Sequence, residues 1–217
     1  FAEAEARLEG RMGGFDRPTR ENLERYLSNA DRYVEDIDRV VRLLTAVGKY
    51  WICKRTPQHA YEAMECIGGS AVMEDSIMPR LYREAPVNAI WEGSGNVQCL
   101  DMLRAMARTP GSREALLTEI ESAKGQHPLL DAHTLDLKKE LGDMSDIEFR
   151  ARAVVEKMAL ALQASVLLRA DNSAVADAFC AARLQGGTHQ MYGTIPHLKG
   201  PRSINCRAII DRASPHQ

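Results

Sequence analysis

The sequence predicts an all-α protein, and three observations support this fold class. Apolar residues recur at three- and four-residue steps in most segments, which places them on one face of a helix. No segment shows the alternation of apolar and polar residues that is typical of a β-strand. No internal repeat or low-complexity tract interrupts these segments. With 217 residues, 45% of them hydrophobic, the chain can bury a sizeable core in one or two domains.

The first predicted helix has one apolar face, formed by residues at helical spacing: Val34, Ile37, Val41 and Leu44. Pro57 lies too far along this helix to be a first-turn proline, so we predict a kink or break near Arg55 and Thr56. Helical spacing then resumes. Gly68 and Gly69 are predicted to end it, because glycine tolerates the left-handed conformation that closes a helix.

A long stretch without helical period follows. Residues 69–95 carry Pro79 and Pro86, and we predict an irregular excursion there. Such a long loop in a compact domain is commonly functional. Asn96 is predicted to cap the next helix, whose apolar stripe consists of Val97, Leu100, Leu103 and Met106.

Residues 109–112 read Thr-Pro-Gly-Ser, which predicts a domain boundary. We therefore divide the chain into a helical domain, residues 1–109, and an extra helical domain, residues 110–217. The second is predicted to hold helices at residues 114–124, 134–141, 145–170 and 174–184. Ser145 and Glu148 have the spacing of a capping box, and the helix they begin has an apolar face of Val154, Met158, Leu162 and Val166. The tail is predicted to be loop-rich because it carries Gly186, Gly187, Gly193, Pro196, Gly200 and Pro201.

Charge and composition exclude several classes of protein. The formal net charge of −2 gives no overall attraction to nucleic acid or to an anionic membrane. The longest apolar stretch, residues 158–168, is too short to span a bilayer. Five scattered cysteines predict reduced thiols in a cytoplasmic protein, and six histidines without metal-ligand spacing predict no metal site. Phe1 is not an initiator methionine, and residues 2–10 look like the end of a helix already under way, which predicts part of a longer protein.

One acid has surroundings that suit general-base chemistry. Glu92 lies between Trp91 and a glycine-rich turn, residues 93–96. Glycines there let backbone amides approach a ligand, and the start of the next helix offers unpaired N–H donors. An indole beside a carboxylate would partly desolvate it and make it a better base near neutral pH. The same residues also fit a solvated loop acid followed by a helix cap at Ser94 or Asn96.

Three motifs, in order, carry a family resemblance. Residues 63–69 read Ala-Met-Glu-Cys-Ile-Gly-Gly, residues 79–85 read Pro-Arg-Leu-Tyr-Arg-Glu-Ala, and residues 90–96 read Ile-Trp-Glu-Gly-Ser-Gly-Asn. This series resembles the last helices of the acyl-CoA dehydrogenase family, which implies that family's C-terminal helical bundle followed by an extra helical domain. Four features resemble its AidB-like branch: the tryptophan before the glutamate, the Ser-Gly-Asn at residues 94–96, the Ile-Cys-Lys-Arg run at residues 52–55, and the region after Pro110.

The resemblance implies roles for individual residues. Glu92 would abstract the α-proton of an acyl-CoA while a β-hydride passes to the flavin of FAD, with Trp91 and Gly93 beside the substrate. Ser94 and Asn96 would lie near FAD. Three residues would contact the cofactor of a neighbouring subunit of a homotetramer: Glu65, Gly68 and Gly69. The family commonly has glutamine at the position of Glu65, and a carboxylate there would be repelled by the flavin diphosphate. Arg83 is expected to order the loop.

AidB-like proteins are linked to the response to DNA alkylation, and their extra helical domain binds duplex DNA. The candidate phosphate contacts here are Arg104, Arg183, Lys199, Arg202, Arg207 and Arg212. Three hypotheses follow: an FAD-dependent dehydrogenase, a DNA-binding flavoprotein with vestigial dehydrogenase activity, and a plain helical interaction module. In the family, the isoalloxazine lies between the helical domain and a β-domain that these residues do not contain. The 217 residues alone are therefore expected neither to hold FAD nor to turn over.

Overall fold

The computed structural model describes residues 20–170, 173–185, 192–196 and 203–214, with side chains from residue 37 onward. The all-α prediction is confirmed: the described residues form helices and turns and contain no strand. The helices are α1 (Arg20–Ile67), α2 (Met78–Glu84), α3 (Gly95–Arg108), α4 (Ser112–Glu121), α5 (Pro128–Gly142), α6 (Ile147–Arg169), α7 (Ser173–Arg183) and α8 (Cys206–Ala213). Residues 1–38 and residues 39–217 form two units, and the core and the site described below belong to the second.

Helix α1 runs unbroken for 48 residues with Pro57 inside it, so the predicted break near Arg55 and Thr56 is wrong. A proline inside a helix removes one N–H···O bond, and the rest of α1 retains its helical bonds. Just before the proline, the Thr56 hydroxyl donates to the Ile52 carbonyl across 2.8 Å. The buried face also differs from the prediction. Ile37 and Val41 are exposed, and the core side holds Leu43, Ala46 and Val47.

The segment after α1 is more regular than predicted. Gly68 ends α1 as expected, with a φ of 88°. Two 3₁₀ turns, Gly69–Val72 and Ala85–Ala89, flank α2. Pro79 and Pro86 each stand at the start of a helical turn, where a missing N–H costs nothing, and this explains why they do not make the segment irregular. Arg83 donates twice to the Glu74 carboxylate, at 2.6 and 3.1 Å, as expected of a residue that orders the loop.

Helix α3 begins two residues earlier than predicted, and Ser94 rather than Asn96 is its N-cap residue. Its buried face is also rotated from the predicted stripe. Cys99, Met102 and Ala105 face the core, while Val97 and Leu100 are exposed. Burial raises the pKa of the Cys99 thiol to about 11 and that of the Cys180 thiol to about 12. All five cysteines are free.

Helix α6 is the centre of the bundle and confirms the strongest helix predicted in this half. It packs against α3, α4, α5 and α7. Val154 and Met158 are buried as predicted, whereas Val166 is exposed. The predicted capping box is wrong because α6 begins only at Ile147. The Ser145 amide and hydroxyl both donate to the Asp143 carboxylate instead.

One hydrophobic core joins the two halves of the chain. Leu43 and Met102 belong to the same cluster as Leu116, Leu137 and Met158, which lie beyond residue 110. The domain boundary at residue 110 stays a prediction, although no gap in the core marks it. In the predicted loop-rich tail, α8 is helical and contacts α7. Gly186, Gly187, Gly200, Pro201 and residues 2–10 lie outside the described residues. Within the described ranges, no helix is both long and apolar enough to cross a membrane.

Candidate active site

The turn between the 3₁₀ turn Ala85–Ala89 and α3 carries Glu92 in an unusual backbone conformation. Glu92 has a φ of 55°, and Gly93 has a φ of 110°. The left-handed region costs a non-glycine residue roughly 1–2 kcal/mol, so it persists only where surrounding contacts impose it. Gly93 is required on a second ground, because a Cβ atom there would lie 2.7 Å from the Gln98 Nε2 atom.

Two side chains hold the backbone on either side of Glu92. The Lys49 ammonium, from α1, donates to the Trp91 carbonyl across 2.5 Å. The Gln98 amide, from α3, donates to the Glu92 carbonyl across 2.9 Å. Both peptide planes that flank the Glu92 α-carbon are therefore fixed by the helices behind the turn. We call this pair, Lys49 and Gln98, the carbonyl clamp.

The Glu92 carboxylate points outward. Its side chain is 68% exposed, and one oxygen lies 3.7 Å from the Lys49 ammonium. The predicted desolvation by Trp91 is therefore wrong within this chain, because the indole is itself 57% exposed. The indole instead lies beside the Lys49 ammonium, 5.6 Å from the ring centroid. Lys49 is the more enclosed partner, with 18% of its side chain exposed.

A shallow, open depression lies beside the turn, and it is lined by Lys49, Lys54 and Gln98 together with Tyr50, Ala89, Gly93 and Gly95. Burial, aided by the nearby Cys99, raises the pKa of the Tyr50 hydroxyl. Ligand pockets usually bury most of the ligand's surface. The described residues beside the turn form an open depression and do not enclose a ligand in this way.

The predicted FAD contacts Ser94 and Asn96 lie at the start of α3. Ser94 is exposed and extended, and its hydroxyl makes no capping bond to the helix. The N–H groups in the first turn of a helix have no partner within the helix. Asn96 is held from the other half of the chain, since the Arg152 guanidinium donates to its Oδ1 atom across 2.6 Å. Lys49, Gln98 and Arg152 are the residues that sequence reasoning missed, because these contacts join separate helices.

The second predicted cofactor group lies elsewhere. Glu65 lies near the far end of α1, roughly 24 Å along the helix from Lys49 at 1.5 Å per residue, and Gly68 and Gly69 follow the last residue of that helix. The structure therefore does not bring them together with Glu92 in one chain. A Cβ atom at either glycine would meet nothing within 4 Å, so this surface is open. A hydrogen bond with the Glu65 carboxylate raises the pKa of Tyr61.

The candidate phosphate contacts differ in their surroundings. Arg104 forms an ion pair with Asp101 at 3.3 Å, and Asp101 also accepts a hydrogen bond from Arg42. Arg207 forms an ion pair with Asp211 at 2.9 Å. The hydrogen bond from Arg42 holds the pKa of Asp101 below its usual range. Burial lowers the pKa of the half-buried Arg183, and the nearby Arg55 adds to this. Arg212 is exposed, whereas Lys199 and Arg202 lie outside the described residues.

Comparison with known proteins identifies the helical layer that carries this turn. Residues 20–107 match the family model described as the acyl-CoA dehydrogenase C-terminal domain. These residues are therefore similar to the C-terminal domain of the acyl-CoA dehydrogenase family. Within that family its similarity is to AidB-like members, as the motifs predicted. It is 37% identical over 143 residues to the putative acyl-CoA dehydrogenase AidB of Escherichia coli K12, which is 66% of this chain and 26% of that protein.

A second relative and two solved structures are also similar to this chain. The chain is 33% identical over 144 residues to acyl-CoA dehydrogenase family member 11 of Caenorhabditis elegans, covering 61% of this chain and 23% of the relative. Among solved structures, ACDH-11 of C. elegans in complex with C11-CoA superposes with a TM-score of 0.59 and 26% identity, over 86% of this chain and 34% of that one. Bd2924 in its apo form gives a TM-score of 0.51 and 27% identity, over 61% and 25% of the two chains. The chain thus spans about a quarter of the length of the curated relatives.

Proposed function

We propose that this chain forms the flavin-facing helical part of an FAD-dependent acyl-CoA dehydrogenase, with Glu92 as the base that takes the substrate α-proton. One observation carries the proposal. Glu92 is held in the left-handed region by contacts to both adjoining carbonyls, and its carboxylate is presented outward from the turn. Strained backbone of this kind concentrates at functional sites, where the surrounding structure stabilises it. A solvated loop acid has no need of such support.

The surroundings of Glu92 fit a site completed by further protein and ligand. Four apolar side chains within eleven residues are at least half exposed: Val87, Ile90, Trp91 and Val97. Exposed apolar groups gathered in this way are typical of an interaction surface. Covering them would also remove water from around Glu92, and this makes a carboxylate a stronger base. The shielding that Trp91 does not provide here would then come from the acyl-CoA and the covering protein.

Ser94, whose side chain makes no capping bond, and the N–H groups in the first turn of α3 suit hydrogen bonds to a flavin cofactor. When bound, FAD would supply the acceptor for the β-hydride. Glu92 would take the proton, and its own backbone N–H would face the thioester oxygen where charge develops. At the other end of α1, Gly68 and Gly69 leave room for a ligand, but the Glu65 carboxylate does not suit a diphosphate. An acyl-CoA substrate is supported by the C11-CoA complex of the similar ACDH-11.

The test is flavin reduction by C11-CoA without oxygen, in the full-length gene product loaded with FAD. Glu92→Gln should lower the rate of flavin bleaching by about 10²–10⁴-fold, the usual contribution of a positioned general base. The matched control is Glu148→Gln, since Glu148 is an exposed acid on α6. Flavin content should be the same in both variants. Parental bleaching in Glu92→Gln would contradict the assignment.

We also propose that residues 1–217 alone neither retain FAD nor reduce it, because the described residues form only one wall of the site. Absorbance in the flavin band after reconstitution would test this. Duplex-DNA binding by residues 110–217 remains the alternative implied by the resemblance. Arg104 and Arg207 are paired with Asp101 and Asp211, so they give it no specific support, and we base no second function on them.

A further inference from the structure

We propose that Lys49 is a positioning residue for Glu92, and that it acts both on the backbone of the turn and on the carboxylate. This inference rests on the proposed role of Glu92 as the base. The Lys49 ammonium makes three contacts with two consecutive residues. It donates to the Trp91 carbonyl at 2.5 Å, lies 5.6 Å from the centre of the Trp91 ring, and lies 3.7 Å from a Glu92 carboxylate oxygen.

Lys49 is held in place by the packing of the residues around it in α1. It follows Ala46 and Val47, which are 1% exposed and packed in the core of the bundle. Trp51, two residues on, donates to the Gln163 side chain of α6 across 2.9 Å, which fixes this part of α1 against the central helix. With only 18% of its own side chain exposed, Lys49 has little freedom left to lose. Its ammonium is therefore preorganised at the turn.

The backbone contact matters because Glu92 has a φ of 55°. Without support, a glutamate relaxes to negative φ, and its side chain then leaves the turn in another direction. Gln98 fixes the carbonyl after the Glu92 α-carbon, and Lys49 fixes the carbonyl before it. Each half of the carbonyl clamp controls one of the two peptide planes that define the conformation.

The charge distinguishes Lys49 from Gln98. The Gln98 side-chain amide donates to the backbone oxygens of Glu92 and Gly93. The Lys49 ammonium, which is charged, also attracts the Glu92 carboxylate. An ion pair that is exposed on one side adds little to stability. It does bias which way the carboxylate points, and the direction of a base decides whether it reaches the substrate proton.

The experiment uses the full-length gene product loaded with FAD and measures anaerobic flavin bleaching over a range of C11-CoA concentrations. Lys49→Met should lower the maximal rate by about 10–100-fold, because a small displacement of a catalytic group can cost about 10²-fold. The concentration giving half the maximal rate should stay near the parental value, since Lys49 is not proposed to touch substrate. Lys49→Arg should restore most of the rate because it keeps the charge and a donor. Lys124→Met is the control for loss of a lysine, at an exposed site.

Flavin content and the thermal midpoint, measured on every variant, separate mispositioning from unfolding. If Lys49→Met does not fold, Lys49→Gln keeps a donor for the Trp91 carbonyl without the charge, and a rate between those of the parent and Glu92→Gln supports the proposal. Parental bleaching in both Lys49→Met and Lys49→Gln, beside an inactive Glu92→Gln, would overturn it while leaving Glu92 as the base. Equal losses in Lys49→Met and Lys49→Arg would overturn the charge contribution. Parental bleaching in Glu92→Gln would instead overturn the proposed function.

Discussion

The Nε atom of Arg152 donates to the Oδ1 atom of Asn96 across 2.6 Å, which joins α6 to the first turn of α3. Asn96 is the third residue after the strained Glu92–Gly93 pair, and α6 belongs to the half of the chain beyond residue 110. The far half therefore helps to fix the start of the helix at which a flavin would bind.

Removal of this contact should weaken both folding and flavin binding. Arg152→Met should reduce the free energy of unfolding by about 1 kcal/mol, as expected for one hydrogen bond at a partly exposed site. It should also raise the dissociation constant for FAD in the full-length protein. Asn96→Asp should keep the contact as an ion pair. A double-mutant cycle of Arg152→Met and Asn96→Ala, read by urea unfolding, measures the coupling, and strictly additive effects would show that the two side chains do not interact.

Gly93 should not tolerate a side chain. Its φ is 110°, and a Cβ atom would lie 2.7 Å from Gln98 Nε2 and 3.1 Å from Val97 Cγ1. Gly93→Ala should therefore cost about 1–3 kcal/mol of stability and displace Glu92. Gly48→Ala is the matched control, because Gly48 lies inside α1 with open space around its Cβ position. There alanine should stabilise the protein by up to about 1 kcal/mol. If both substitutions shifted the unfolding midpoint in the same direction relative to the parent, the structure would be contradicted.

Stability should fall in acid because of one lysine that joins α5 to α6. Lys157 donates to Asp136 at 2.6 Å and to Glu140 at 3.0 Å. Its hydrogen bonds lower the pKa of Asp136 and of Glu140. A lowered folded-state pKa gives stability that is fully present above the unfolded values, about 3.9 and 4.3, and is lost as the pH falls through the folded values.

The thermal midpoint should accordingly drop with decreasing pH below about 4.5, and Lys157→Met should flatten that drop. At neutral pH the substitution should cost about 1 kcal/mol, given partly exposed partners. Lys124→Met, with no bridging role, should retain the parental pH profile. A Lys157→Met protein with an unchanged acid slope would show that other carboxylates govern the transition.

The sequence predicted where helices lie better than which way they face. The pattern around Val154 and Met158 placed α6 correctly, because both residues lie on the side of that helix which the rest of the bundle covers. On α1 and α3, by contrast, Val41 and Leu100 of the predicted stripes are exposed, while Leu44 and Leu103 are partly buried against the core. Periodicity finds an apolar face, but a helix with apolar residues on two faces does not reveal which one the rest of the bundle covers.

The candidate site was predictable only in part. The position of Glu92 followed from its motif, whereas its positive φ did not, because non-glycine residues rarely adopt it. Lys49 and Arg152 lie 43 and 60 residues away from Glu92 in sequence, so only tertiary packing brings them to the turn. The prediction that Trp91 shields Glu92 from water was wrong for the same reason, because two residues that are adjacent in sequence need not pack against each other.

The shared core gives the chain a property that bears on how its parts can be separated genetically. Cutting after residue 110 would separate Leu43 and Met102 from Leu116, Leu137 and Met158, which lie in the same core. Each piece would then expose apolar side chains to water that are buried in the whole chain. Any activity missing from such truncated proteins would report a collapsed scaffold and not a missing binding face. Roles can instead be assigned to the regions before and after residue 110 by single substitutions of surface residues, because these leave the helical bundle folded.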